Sequence, residues 1–251
     1  MANTSLALLE SALREKKLDR TLTTVPSRHL GSGASIAVGV PILDACLQGG
    51  LPKGQLSEIA GRPSSGRTTL LLQVLSAITR RGDIAALVDT FDRFDVTSAV
   101  AARIDLDRLL WIRGHDMSSP LQPEASTFFE RTIDRGLKAL NLVLQAGGFS
   151  IAALDLADVP LAMLARIPFT TWLRVQRTIE GSETACVLVV PRPLARSAGG
   201  LTLSIDGRTT WSGDSDRSRC LAGLNVDVRV ISPRRQGEKA ALMAVAAGLV
   251  Y

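Results

Sequence analysis

From residue 56 onward the hydrophobic positions fall into short unbroken runs separated by stretches of helical spacing. The runs are Leu56 to Ala60, Ile84 to Asp89, Leu109 to Ile112, Ser150 to Asp155 and Val187 to Val190. Ile84-Ala85-Ala86-Leu87-Val88 and Val187-Leu188-Val189-Val190 lack polar alternation, the pattern of strands covered by helices on both faces. Between the runs the spacing predicts helices over Arg67 to Arg80, stopped by Gly82, over Val96 to Arg103, and over Phe128 to Ala146, ended by Gly147-Gly148. This alternation predicts an α/β fold with a mainly parallel central sheet. After Gly199-Gly200 the character changes: Leu201 to Asp206 and Asn225 to Ser232 alternate, as antiparallel strands do.

Ahead of this region, Leu6, Leu9 and Leu13 recur at helical spacing among Glu10, Arg14, Glu15, Lys16 and Lys17, which predicts a short amphipathic helix between Ser5 and Leu22. Thr23 to Ser35, with Pro26, Gly31 and Gly33, reads as a linker. The expected division is an N-terminal helix and linker over 1–35 and a core domain over 36–251. An apolar stripe requires only that one face be buried. Leu6, Leu9 and Leu13 therefore serve either the helix's own domain or self-association with a neighbouring molecule.

A chain of 251 residues with 46% hydrophobic content supplies one sizeable core. Its formal charge is +5, and with lysine only at 16, 17, 53, 138 and 239 the basicity is mostly arginine, suited to forked pairing with phosphate or carboxylate. Aromatics make up 4% of the chain, and Trp111, Trp172 and Trp211 are expected to be partly core-bound, so base-by-base stacking is not supported. Contact with DNA would be backbone-directed and sequence-tolerant. Arg192, Arg196, Arg234 and Arg235, in turn-like segments beside glycine or proline, are the candidates. Solvated loops whose arginines pair with local carboxylates account for them equally well.

Cys46, Cys186 and Cys220 have no metal-ligand or CxxC spacing and are expected as reduced thiols in or near the core. His29 and His115 lie far apart, without the neighbours of a zinc site. The first residues lack a basic, then apolar, leader pattern. The longest apolar tract, Ala240 to Tyr251, is too short to span a bilayer. The expectation is a soluble cytoplasmic protein with no membrane contact.

Gly61-Arg62-Pro63-Ser64-Ser65-Gly66-Arg67-Thr68 fits a Walker A phosphate loop at every fixed position but one, where Arg67 replaces the usual lysine. A strand ends before it and a helix begins at Arg67, so backbone N–H groups and the helix N-terminus converge on an anion. The expected nucleotide-binding residues are Gly61, Ser64, Ser65, Gly66, Arg67, Thr68, Thr69 and Asp155, and the implied ligand is ATP with magnesium. Thr68 would place its hydroxyl on the metal, and Asp155, at a strand end, would hold it through water. Helix capping explains Asp155 nearly as well. Arginine is longer than lysine, planar and forked, so the charge survives the exchange while the geometry changes.

Val38-Gly39-Val40-Pro41-Ile42-Leu43-Asp44, then Gly49-Gly50-Leu51-Pro52-Lys53-Gly54-Gln55-Leu56-Ser57-Glu58-Ile59 and the loop itself, resemble the start of the RecA recombinase core. Val88-Asp89-Thr90 to Asp95 and Ile104-Asp105-Leu106-Asp107-Arg108-Leu109-Leu110 continue the resemblance in order and spacing. Val159-Pro160-Leu161 and Ile167-Pro168-Phe169 with Trp172-Leu173-Arg174 are similar to the ImuA group of mutagenesis proteins.

The resemblance implies a RecA-like P-loop core and an accessory role in DNA-damage-induced mutagenesis. The implied partners are an inactive Y-family-like polymerase protein and an error-prone replicative-type polymerase. It also marks departures. Phe91 stands where a recombinase has its water-orienting glutamate, and Pro191-Arg192 stand where it has a glutamine-containing switch. The expected outcome is a loop that holds nucleotide and turns it over poorly. Two rivals remain: a DNA-stimulated ATPase in which Arg67 and Asp92 act instead, and an interaction-only protein resembling bacterial cell-division inhibitors.

Overall fold

The unbroken apolar runs lie side by side in one sheet. The computed structural model describes residues 35–114, 125–195, 200–215, 217–231 and 239–246, with backbone alone for 125–126 and 239–246. The chain divides into residues 1–33 and 34–251, and the fold below is that of the second unit. The expected N-terminal helix with Leu6, Leu9 and Leu13 lies outside the described residues, as do Arg196, Arg234 and Arg235.

β1 (Ser35–Ile36) and β2 (Leu51–Pro52) form a small antiparallel pair around α1 (Pro41–Leu47). Then follow β3 (Leu56–Gly61), α2 (Arg67–Thr79), β4 (Ala85–Asp89), α3 (Val96–Ala101), β5 (Leu109–Arg113), α4 (Ala125–Ala146) and β6 (Ile151–Asp155). The chain continues through α5 (Leu161–Leu164), α6 (Phe169–Ile179), β7 (Ala185–Val190), β8 (Thr202–Ser212), β9 (Cys220–Ile231) and β10 (Lys239–Ala246).

The large sheet runs β10-β9-β8-β3-β7-β6-β4-β5. It is parallel from β8 to β5 and antiparallel at β8-β9 and β9-β10. This is the expected α/β core with antiparallel C-terminal strands. Helices α1, α5 and α6 and strand β10 were not anticipated as elements.

The strands read as continuous runs because both faces are covered. Along β7, Ala185, Val187 and Val189 pack on one side with Leu70, Val74, Leu75 and Ile78 of α2. Cys186, Leu188 and Val190 pack on the other with Leu140 of α4 and Trp172, Val175 and Ile179 of α6. With period two and apolar partners on both sides, no polar residue is tolerated in the run. Parallel strands in register bring the ends of β3, β4, β6 and β7 to one edge, where the crossover loops converge.

Candidate nucleotide site

β3 delivers the chain to Gly61, and α2 starts six residues later. Within the turn the Ser65 N–H donates to the Arg62 carbonyl at 3.1 Å, and Ser64 and Gly66 take left-handed φ values of 62° and 94°. Alternating hand in this way makes a concave nest of backbone N–H groups at the start of α2, a shape that suits an anion. Gly66 is required twice over. Its φ is left-handed, and a Cβ there would lie 2.9 Å from both Leu224 Cδ2 and Val226 Cγ2 of β9. Gly207 of β8 passes so close to the Ser65 backbone that a Cβ could not fit, so the β8–β9 hairpin packs directly on the loop. The Ser65 hydroxyl is buried and has no hydrogen-bond partner among the described residues.

Arg67, the first residue of α2, is only 6% exposed. Its Nη1 donates to the Gly61 carbonyl at 2.6 Å and its Nη2 to the Ala157 carbonyl at 3.0 Å. Asp158 Oδ1 lies 3.6 Å from Nη2, and Asp158 Oδ2 lies 3.6 Å from Arg93 Nε. The guanidinium thus bridges the beginning of the phosphate loop and the turn after β6.

Of the expected nucleotide-binding residues, Gly61, Ser64, Ser65 and Gly66 form the loop itself. Thr68, Thr69 and Asp155 line one cavity of about 230 Å³ with Arg67, Arg93 and Asp158. Asp155 Oδ1 accepts from the Ala157 N–H at 2.8 Å, so it closes a turn and does not cap α5, which begins at Leu161. Burial pushes its carboxyl up to about 6; the Ala157 N–H opposes this, while the Asp89 and Asp158 charges add to it and Arg67 opposes them.

ATP with magnesium is the group such a loop implies. The backbone nest suits phosphate, but Arg67 at the head of α2 is already committed to two protein carbonyls. In this geometry the side chain at position 67 does not fit the group.

The turn after β4 is held by its own side chains. Phe91, 3% exposed, packs edge-on against Phe129 with ring centroids 5.7 Å apart, and lies 6.4 Å from Phe128. Asp89 folds the turn around it, accepting from the Arg93 and Phe94 N–H groups and from Trp111 Nε1. Asp92, at φ 56°, takes a fork of hydrogen bonds from Arg113, Nε at 2.8 Å and Nη2 at 2.6 Å.

On the far side of β3, Glu58 is 2% exposed, and its Oε1 accepts from the Leu194 and Ala195 N–H groups, both at 2.7 Å. Its Oε2 accepts from the Thr202 hydroxyl at 3.1 Å, and Ser57 Oγ accepts from the Leu201 N–H. These bonds fix both ends of the segment after β7. Arg192 stands exposed at the start of that segment.

Glu58, Asp158 and Arg113 went unmarked in the sequence reading. A carboxylate inside the apolar run Leu56 to Ala60 was the available signal for Glu58, since a charge in a two-sided strand must find partners. Two expectations are corrected. Trp211 is 52% exposed because β8 and β9 extend beyond the packed helices, and Cys220, near the same hairpin end, is also exposed.

A parallel sheet with a glycine-rich nest between a strand end and a helix start defines a P-loop α/β domain. The family described as the RecA N-terminal domain matches residues 19–122. The chain is 28% identical to Protein RecA of Thermosynechococcus vestitus over 256 residues, covering 94% of this chain and 68% of that protein. It is 29% identical to Protein RecA of Nostoc punctiforme, covering 89% and 64%, and 28% identical to that of Nitratiruptor sp., covering 88% and 60%. The chain therefore spans about two thirds of the length of these relatives. The fold is a RecA-like α/β core, and the sequence is similar to RecA proteins over most of its length. Among the described residues no helix is long and apolar enough to cross a membrane.

Proposed function

We propose that this chain is a RecA-like accessory protein of DNA-damage-induced mutagenesis, acting in translesion synthesis through protein and DNA contacts, with little or no ATP hydrolysis. The observation that carries the absence of turnover is the state of the segment after β4. Orienting a water needs a free carboxylate facing the phosphates. Phe91 is instead sealed into an aromatic cluster, and both oxygens of Asp92 are held by Arg113. The rival ATPase reading would have to break that fork before Asp92 could serve as a base. The mutagenesis setting rests on the similarity of Val159 to Leu161 and Ile167 to Arg174 to the ImuA group. In that setting the partners are an inactive Y-family-like polymerase protein and an error-prone replicative-type polymerase.

DNA contact is assigned to Arg192, Arg196, Arg234 and Arg235, and self-association to Leu6, Leu9 and Leu13. The burial of Arg67 also favours the interaction-only reading, which needs no nucleotide.

Two experiments test the proposal. Phosphate release from ATP and magnesium, with and without single-stranded DNA, is expected at background. Robust DNA-stimulated release abolished by Asp92→Asn would establish the ATPase instead. Damage-induced mutation frequency is expected to fall when the protein's gene is deleted in its host and to return on complementation. An unchanged frequency removes the mutagenesis role.

A further inference from the structure

The side chain at the head of α2 ties two strand ends together beside the phosphate loop. Gly61 and Ala157 belong to different strand ends, β3 and β6, and their carbonyls are the two groups that Arg67 joins. Asp158 stands beside the same guanidinium. In a P-loop site the cation at the head of the helix must face the phosphates, which lie over the N–H nest between these strand ends.

We propose that Arg67 is a built-in occupant of the loop: its guanidinium bridges the mouth of the nest, sets the loop in one conformation, and excludes nucleoside triphosphates. The inference deepens the accessory reading above and rests on its altered loop. It replaces slow turnover with absence of binding.

Three features support it. A guanidinium has a fork of donors, so it can satisfy two carbonyls at once, at 2.6 and 3.0 Å, where an ammonium is a single compact point. Admitting phosphate would require the buried Gly61 carbonyl and the half-buried Ala157 carbonyl to lose their donor, a loss that must be made up by the incoming ligand. The loop also has little room to shift away, because the hairpin leaves no space for even a Cβ at Gly66, against Leu224 and Val226, or at Gly207, against the Ser65 backbone. With the loop fixed from behind by the hairpin and bridged in front by Arg67, a triphosphate has to displace the guanidinium.

Lysine at this position would leave the Ala157 carbonyl and free the nest, so Arg67→Lys is the informative substitution. The measurement is melting temperature and equilibrium binding of the full chain titrated with ATP and magnesium, with hydrogen exchange of the 61–69 amides as a second readout. The parent is expected to show no saturable binding to millimolar ATP, no melting shift and no new protection of those amides. Arg67→Lys is expected to gain at least about tenfold in affinity and, at ten times its Kd, to melt roughly 3–6 °C higher.

Saturable binding by the parent with protection of the 61–69 amides would overturn the proposal. So would an Arg67→Lys protein that folds and binds no better than the parent. If that variant does not fold, the parent's binding and exchange decide alone. Failure here leaves the accessory reading standing, because that reading is tested by phosphate release and mutation frequency and not by binding.

Discussion

Replacing Glu58 should loosen the segment after β7 far more than a typical surface change would. The carboxylate is 2% exposed and accepts three hydrogen bonds, from Leu194 N, Ala195 N and the Thr202 hydroxyl. In Glu58→Ala two backbone N–H groups lose their acceptor beneath a packed surface. Each orphaned group costs about 1–3 kcal/mol, and relief of the carboxylate's own desolvation offsets part of the total, so the net loss is expected at about 3–5 kcal/mol. That is a large fraction of the roughly 5–15 kcal/mol that holds a domain of this kind folded. Glu58→Gln keeps a carbonyl oxygen for the two N–H groups and an amide that the Thr202 hydroxyl can accept from, so about 1 kcal/mol is expected. Urea unfolding of the three proteins gives the difference, and hydrogen exchange at Leu194 and Ala195 localises it. An alanine variant within about 1 kcal/mol of the parent, or one whose Leu194 and Ala195 amides stay protected, refutes the anchoring role.

Three further outcomes are expected. Gly207→Ala, on a strand distant in sequence from the phosphate loop, should cost about 1–3 kcal/mol and disturb the Ser65 backbone, read as altered exchange at Ser64 to Gly66; unaltered exchange contradicts the packing of hairpin on loop. In metal-free buffer Asp155→Asn should stabilise the protein by about 1–3 kcal/mol at pH 7.5 and by little at pH 4, because the folded carboxyl, raised from 3.8 to about 6, binds its proton more tightly than the unfolded one, so its charge penalty builds as pH rises from about 4 to 6 and is complete above that; a gain equal at both pH values would show that burial of the charge is not its source. DNA affinity should fall as salt rises and weaken in Arg192→Ala, with the logarithmic salt slope smaller by about 1; an unchanged slope removes Arg192 from the contact.

The sheet was legible because its strands are buried on both faces, so that runs such as Val187 to Val190 carry a signal with no polar interruption. The loop was legible because glycine at 61 and 66 is demanded by local geometry. Helices α5 and α6 were not, since Pro160 and Pro168, which stand at their N-terminal boundaries, read equally well as loop residues, and α5 is only four residues long. The orientation of Arg67 was beyond sequence for a different reason. Its partners are main-chain carbonyls, one of them 90 positions away, and a carbonyl leaves no mark in the identity of its residue. Asp92 was misleading for a related reason: its partner Arg113 lies 21 positions on, at the end of the neighbouring strand, and only the parallel pairing of β4 with β5 brings the two together.

β3 shows how the shape of a phosphate loop can be held by the protein itself. Two of its residues serve unrelated attachments, Glu58 holding the segment after β7 and Gly61 receiving Arg67. The hairpin strand β8 then pairs with β3 along Glu58 to Gly61 and continues over Ser65. Among the described residues three protein contacts constrain the loop's shape: left-handed Gly66 against β9, the Ser65 backbone against Gly207, and the Gly61 carbonyl against the guanidinium. A loop that depended on nucleotide for its conformation would drift once binding was lost, because nothing else would oppose substitution at its glycines. Here, substitution at Gly66 or Gly207 is opposed by core packing, and the loop's outline is held by protein contacts for reasons of stability.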